Sequence, residues 1–214
     1  MRTPIAAAMT LLVAILLHPG SAAAQRKAEP GAFDYYVLSL SWSPAYCARE
    51  ADAVDSDQCS PRKRFGWVVH GLWPQFAEGG YPRSCAAGRN VPKSVVDETF
   101  GVMPDVGLIL HQWRSHGTCS GLSAADYFAK LRTAHARVKV PAALSTPGDG
   151  LSVPAAQVEA KFAEANPGLT PDMIAVVCHR REVSEVRVCL DKDLNPRACG
   201  KDVADRCGKT AVLK

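Results

Sequence analysis

Apolar and polar positions first alternate clearly between Phe33 and Trp42. Tyr36, Leu38 and Leu40 interleave with Val37, Ser39 and Ser41, a period of two that predicts a strand stopped by Pro44. A second strand is predicted over Phe65–His70, running on into Gly71, Leu72, Trp73 and Pro74. A polar, acidic stretch from Ala51 to Asp57 and the Gly-, Pro- and Arg-rich residues 76–94 predict loops. From Asp105, just after Pro104, the apolar spacing becomes helical and holds to about His116. Ser123 to Asp126 resembles a capping box with Asp in the Glu position, opening a helix through Tyr127, Phe128, Leu131 and Val138. Ser152 with Pro154 predicts another helix, ended by Asn166, Pro167 and Gly168. Two short strands, about Ile174–Cys178 and Glu185–Leu190, precede a cysteine-rich tail. Strands and helices are segregated, so the expected class is α+β, a central antiparallel sheet packed with several helices.

One apolar run falls outside this pattern. Arg2 precedes Ile5–Leu17, which is short for a membrane span, and Ala22, Ala23 and Ala24 follow as a small-residue cleavage pattern. A signal peptide over residues 1–24 is expected, leaving a single domain over 25–214, secreted or periplasmic and off the membrane once cleaved. All eight cysteines lie beyond it, and an even count in an exported chain predicts four disulfides. Their spacing contains no C-x-x-C pair of the kind zinc sites use. The formal net charge of +4, over 214 residues, is too small for a general nucleic-acid binder. Only Arg62, Lys63 and Arg64 cluster in sequence, and a solvated loop accounts for them.

Candidate chemistry gathers around histidine. His70 opens His70-Gly71-Leu72-Trp73-Pro74-Gln75, and two more lie in His111-Gln112-Trp113-Arg114-Ser115-His116-Gly117-Thr118-Cys119. At about 100° per residue, His111, Gln112, Ser115 and His116 share one arc of about 140°, with Leu110 and Trp113 turned toward the core. Two imidazoles, an amide and a hydroxyl make one wall of a site. The histidines are five apart with no glutamate between them, which does not match the zinc-protease helix. Gly117 to Gly121 imitates a nucleophile elbow, but it follows a helix, and an exported thiol is ordinarily bonded. His135 and His179 have no polar company. Acid–base work remains, with one ring neutral to accept a proton and one charged to give it.

These two segments, with Phe33–Cys47 and Val188–Asp193, resemble the ribonuclease T2 family over nearly all of the chain beyond residue 24. The resemblance implies an α+β endoribonuclease acting on single-stranded RNA as a monomer, without cofactor or metal. His116 would take the 2′-proton, His70 would protonate the leaving 5′-oxygen, and His111 would hold the phosphate. A cyclic 2′,3′-phosphate would then be hydrolysed to a 3′-phosphate. Trp73 and Tyr81 match positions that stack the upstream base, and Gln75 stands where the family often has an acid that helps to choose it. Gln112 and Ser115 replace the glutamate and lysine of the usual second motif, so the net charge is kept but the hydrogen bonds to the transition state weaken. Reduced turnover is the expectation, with restored activity in Ser115→Lys; the alternative is a weak or inactive relative that binds RNA or a protein partner. The family pattern also implies Cys85–Cys119, Cys47–Cys59, Cys178–Cys207 and Cys189–Cys199.

Overall fold

The first alternating run forms β1 (Tyr35–Trp42), buried at every position because both faces of the strand are covered. A computed structural model describes residues 28–49, 57–87, 90–145, 147 and 152–214 of the chain. The expected signal peptide and residues 51–56 of the acidic loop lie outside the described residues. Tyr36, Leu38, Leu40 and Trp42 enter the main core, while Tyr35 and Val37 join a second cluster with Ala175, Cys189 and Val203. β1 pairs antiparallel with β2 (Trp67–Gln75) on one side and β5 (Glu182–Leu190) on the other; β5 also pairs antiparallel with β4 (Ile174–His179).

Two-residue strands β3 (Val153–Pro154) and β6 (Val212–Leu213) extend the sheet. β5 meets β6 in parallel through Glu182 and Val212, so the sheet is mixed rather than wholly antiparallel. That pairing follows from the tail returning alongside β5, a long-range contact to which a period of two is blind.

Helices cover the core face. Pro44 ends β1 but sits in the first turn of α1 (Ser43–Cys47), where its missing N–H costs nothing. α2 (Lys93–Phe100) lies at the end of the expected 76–94 loop and just beyond it, starting from Pro92 without a side-chain cap and burying only Val95 and Thr99. α3 (Val106–Ser115) has the expected start, with Asp105 Oδ1 accepting from Leu108 N at 2.8 Å. Ile109 and Trp113 anchor it in the core; Leu110, expected to share that role, is only half-buried. α4 (Ala124–Arg137) is capped by Ser123 as expected, and its Tyr127 hydroxyl donates to Leu72 O at 2.8 Å, tying helix to sheet. α5 (Ala155–Ala165) starts after Pro154, with no cap from Ser152. All four family-implied disulfides are present: Cys47–Cys59, Cys85–Cys119, Cys178–Cys207 and Cys189–Cys199.

Candidate active site

A break in strand register places the first histidine. Along β1 and β2, Ser39 pairs with Gly71 and Leu40 with Val69, so His70 is the extra residue of a β-bulge. The bulge lets Val69 and Leu72 both face the core while Gly71, Trp73 and His70 are left for the opposite face. On that face lies a cleft of about 350 Å³, whose lining includes His70, Trp73, Gln75, Tyr81, His111 and Gln112. His116 lines it too, so all seven residues expected from sequence meet in one place.

The second motif reaches the cleft differently from a regular helix. α3 ends at Ser115, and His116 leaves it with φ −125° and ψ −46°, followed by a short 3₁₀ turn over Gly117–Cys119. A Cβ at Gly117 would lie 2.4 Å from the Trp113 ring and 3.0 Å from Tyr127, so only glycine admits this sharp exit. His116 ends with its ring centroid 5.6 Å from Trp73 and 5.8 Å from Tyr81. His70 meets Trp73 edge-on at 5.1 Å. The indole therefore touches both imidazoles.

Their electrostatic surroundings differ. Burial, reinforced by His111, His70 and Arg83, pulls the His116 imidazole down to about 4, so it is neutral at pH 7. Its Nδ1 is buried without a hydrogen-bond partner, which gives an imidazolium nothing to lean on. His111 is also lowered, by burial and then by Arg114, Arg83 and His70. His70 has a carboxylate beside it: Nδ1 is 2.8 Å from Glu185 Oε1. Burial raises the Glu185 carboxyl, but hydrogen bonds and charges from His70 and Arg187 outweigh it and hold the group at about 2. An ionised carboxylate can only accept, so Nδ1–H is the donor and Nε2 is the nitrogen left for other partners. Arg187 fixes the other carboxylate oxygen with Nε at 2.9 Å and Nη2 at 2.7 Å, and its guanidinium lies 5.2 Å from the Trp73 ring.

Glu185 and Arg187 escaped the sequence reading. Their signal was available: in Glu185-Val186-Arg187-Val188-Cys189-Leu190 the charges share one face of a strand whose other face is apolar. β5 lies between β1 and β4, and charges inside a sheet need a purpose. Arg83 escaped for another reason, since it reaches the histidines from the loop that Cys85–Cys119 fastens to the end of α3. Arg114 is exposed on α3, while Ser115 is buried with Oγ 3.4 Å from His111 Nε2.

Gln112 is almost wholly buried, and its Oε1 accepts from Trp73 Nε1 at 2.8 Å. This bond runs directly over Gly71, where a Cβ would lie 2.2 Å from Trp73 Nε1 and 2.3 Å from Gln112 Oε1. Gly71→Ala therefore breaks it and tips the indole. The expected result is a rise in KM of about tenfold for dinucleotide substrates, read by steady-state kinetics, with a smaller fall in kcat. An unchanged KM would show that Trp73 does not depend on this clasp. Among the described residues, no cluster of three or more His, Cys, Asp or Glu is placed to hold a metal ion.

The chain matches the sequence profile of the Ribonuclease T2 family over residues 33–199. It is 37% identical over 218 residues to a ribonuclease of Aeromonas hydrophila, covering 96% of each chain. A ribonuclease T2 protein of Caenorhabditis elegans is 25% identical over 215 residues, covering 91% of this chain and 76% of its own. Among solved structures, an RNase-related protein from Calystegia sepium superposes with a TM-score of 0.67 at 19% identity, over 85% of this chain and 96% of that one. A ribonuclease solved in complex with 5′-AMP superposes with a TM-score of 0.61 at 19% identity, over 81% and 98%. A histidine-walled cleft on this fold, with such relatives, defines an endoribonuclease. The chain belongs to the Ribonuclease T2 family.

Proposed function

We propose that this endoribonuclease cleaves single-stranded RNA by metal-independent transphosphorylation, with His116 as general base and His70 as general acid. His116 takes the proton of the 2′-hydroxyl, and the 2′-oxygen attacks the adjacent phosphorus. The bond from phosphorus to the 5′-oxygen breaks as His70 Nε2 gives that oxygen its proton, leaving a 2′,3′-cyclic phosphate. In the second step His70 takes a proton from water, water attacks phosphorus, and His116 returns a proton to the departing 2′-oxygen. The product is a 3′-phosphate. His111 binds the phosphate, and Arg83 adds positive charge beside it. Tyr81, half-exposed, stacks on the upstream base above Trp73, and Gln75 faces its edge.

The observation that carries this reading is the opposed setting of two imidazoles in one cleft. One is half-buried and held neutral; the other is bonded to a carboxylate. A ring held neutral suits the base, and a ring oriented through Nδ1–H keeps Nε2 for the acid's proton. The nucleotide in the structurally similar ribonuclease fits the same substrate class. The chain is taken to work as an exported, monomeric single domain, as its leader pattern and four disulfides suggest. Incubation with polyuridylate in EDTA, followed by mass spectrometry, tests the chemistry. Cyclic phosphates appear first and 3′-phosphates later; products ending in 5′-phosphate would overturn the scheme.

Ser115 supplies a third prediction. With a neutral hydroxyl where the family carries lysine, the phosphate meets less positive charge than the fold allows. Ser115→Lys should raise kcat on polyuridylate, by about tenfold if its ammonium reaches the phosphate. A rate that stays level or falls would mean that Arg83 and His111 already meet the need.

A further inference from the structure

The sequence shows one short basic cluster, but folding assembles a second. Arg49 from the end of α1, Arg180 and Arg181 from the β4–β5 turn, and Lys214 from the tail line a cavity of about 430 Å³. Among the described residues, Glu182 is the one acidic side chain in this lining, and Lys214 Nζ lies 3.1 Å from it. The four basic residues are exposed, so a predominantly basic cavity opens to solvent.

Shared walls relate this cavity to the catalytic cleft. A smaller cavity, of about 100 Å³, has Arg49, His70 and Glu185 in its lining. Arg49 thus lines both the basic cavity and this smaller one, and His70 lines both the smaller one and the cleft. Along β5, Glu182 precedes Glu185 by three residues, about 10 Å of extended strand. Trp73 and Tyr81 line the cleft but not the smaller cavity, so the basic cavity lies toward the His70 side of the site.

The turn itself carries a second sign. His179 and Glu182 are paired, so Arg180 and Arg181 form a two-residue hairpin loop. Arg180 has φ +55°, in a position that hairpins ordinarily fill with glycine. Arginine there is strained, and strain kept at a cavity rim points to use.

We propose that this cavity is a backbone subsite for RNA, holding phosphates on the 3′ side of the cleaved bond. The placing rests on His70 being the acid, because the leaving 5′-oxygen belongs to the downstream nucleotide. Guanidinium groups suit phosphate, giving forked hydrogen bonds without reading sequence. The enzyme then favours long RNA over dinucleotides and gains from downstream length.

The test compares the wild-type protein with Arg180→Gly/Arg181→Ser, a change that relieves the strained turn. Three substrates share one cleavable step: a dinucleoside monophosphate, the same step extended at the 3′ end, and the same step extended at the 5′ end. On the 3′-extended substrate kcat/KM should fall about tenfold at low salt, and the slope of its logarithm against log salt should flatten by about 1.4 for two lost phosphate contacts. The dinucleotide and 5′-extended substrates should be unaffected, and the melting temperature should not fall. An equal loss on all three, or none on the 3′-extended one, overturns the subsite, as does a loss confined to the 5′-extended one. Filter binding of a 3′-extended oligonucleotide made uncleavable by a 2′-deoxy sugar gives a readout independent of turnover. Unchanged binding in the variant overturns the subsite, whereas an inactive wild type that still binds in this way counts only against the catalytic scheme.

Discussion

Replacing His116 with alanine lowers kcat on polyuridylate at pH 7 by about 10³-fold, and His70→Ala does the same. In the proposed scheme each imidazole handles a different proton of one displacement, so the double variant should lose little more than either single one. The pH profile separates the two roles. His116 accepts only when neutral, and it gains its proton as pH falls through about 4; the acid limb of the wild-type profile therefore lies near that value. Above it the base is available, and activity persists until the acid loses its proton, giving a bell. His116→Ala should lose the limb near pH 4 along with most of its rate. Cleavage that survives either substitution, or a profile flat from strong acid to alkali, would sink the two-imidazole scheme.

The same burial that readies His116 costs stability in acid. Its folded value lies below that of a free imidazole, so the unfolded chain binds the proton first and stability declines as pH falls from about 6.5 toward 4. A neutral base is thus purchased by a site less suited to acidic surroundings than its chemistry alone would be.

Sequence pattern located the pieces of this site better than it located their directions. Asp105 and Ser123 announced α3 and α4 because a cap is a local hydrogen bond between neighbours in the chain. α2 went unread because Pro92 caps nothing and its buried stripe is two residues wide. The helical arc over α3 brings His111, Gln112 and His116 to the cleft wall, while Ser115 is buried behind His111; His116 gets there by leaving the helix, as Gly117 permits. Val69 and Leu72, both buried and three apart, break the period of two in β2; that break is the trace of the bulge at His70. The clasp from Trp73 Nε1 to Gln112 Oε1 joins residues far apart in the chain and has no local trace; it leaves the amide N–H groups of Gln112 as its donors. The disulfide pairs came from family pattern, since cysteine spacing alone leaves every pairing open.

Glu185→Gln is expected to cost about 10–100-fold in kcat while leaving KM for a dinucleotide nearly unchanged. The carboxylate serves two donors at once: Oε1 receives His70 Nδ1–H, and Oε2 receives both Arg187 bonds. A glutamine has only one oxygen to offer, so either His70 loses its orientation or Arg187 loses its forked partner. With kcat falling while KM holds, the loss lies in the chemical step, an outcome that partial unfolding alone would not produce. Because Glu185 and Arg187 are 14% and 22% exposed, the variant also leaves a largely buried guanidinium poorly paired, and its melting temperature should drop. Glu185→Gln/Arg187→Met removes that stranded charge and should recover stability without recovering the rate. If the double variant regains wild-type turnover, Glu185 holds the sheet together but does not position His70. If stability returns while kcat stays low and KM stays unchanged, the carboxylate acts through the imidazole it grips.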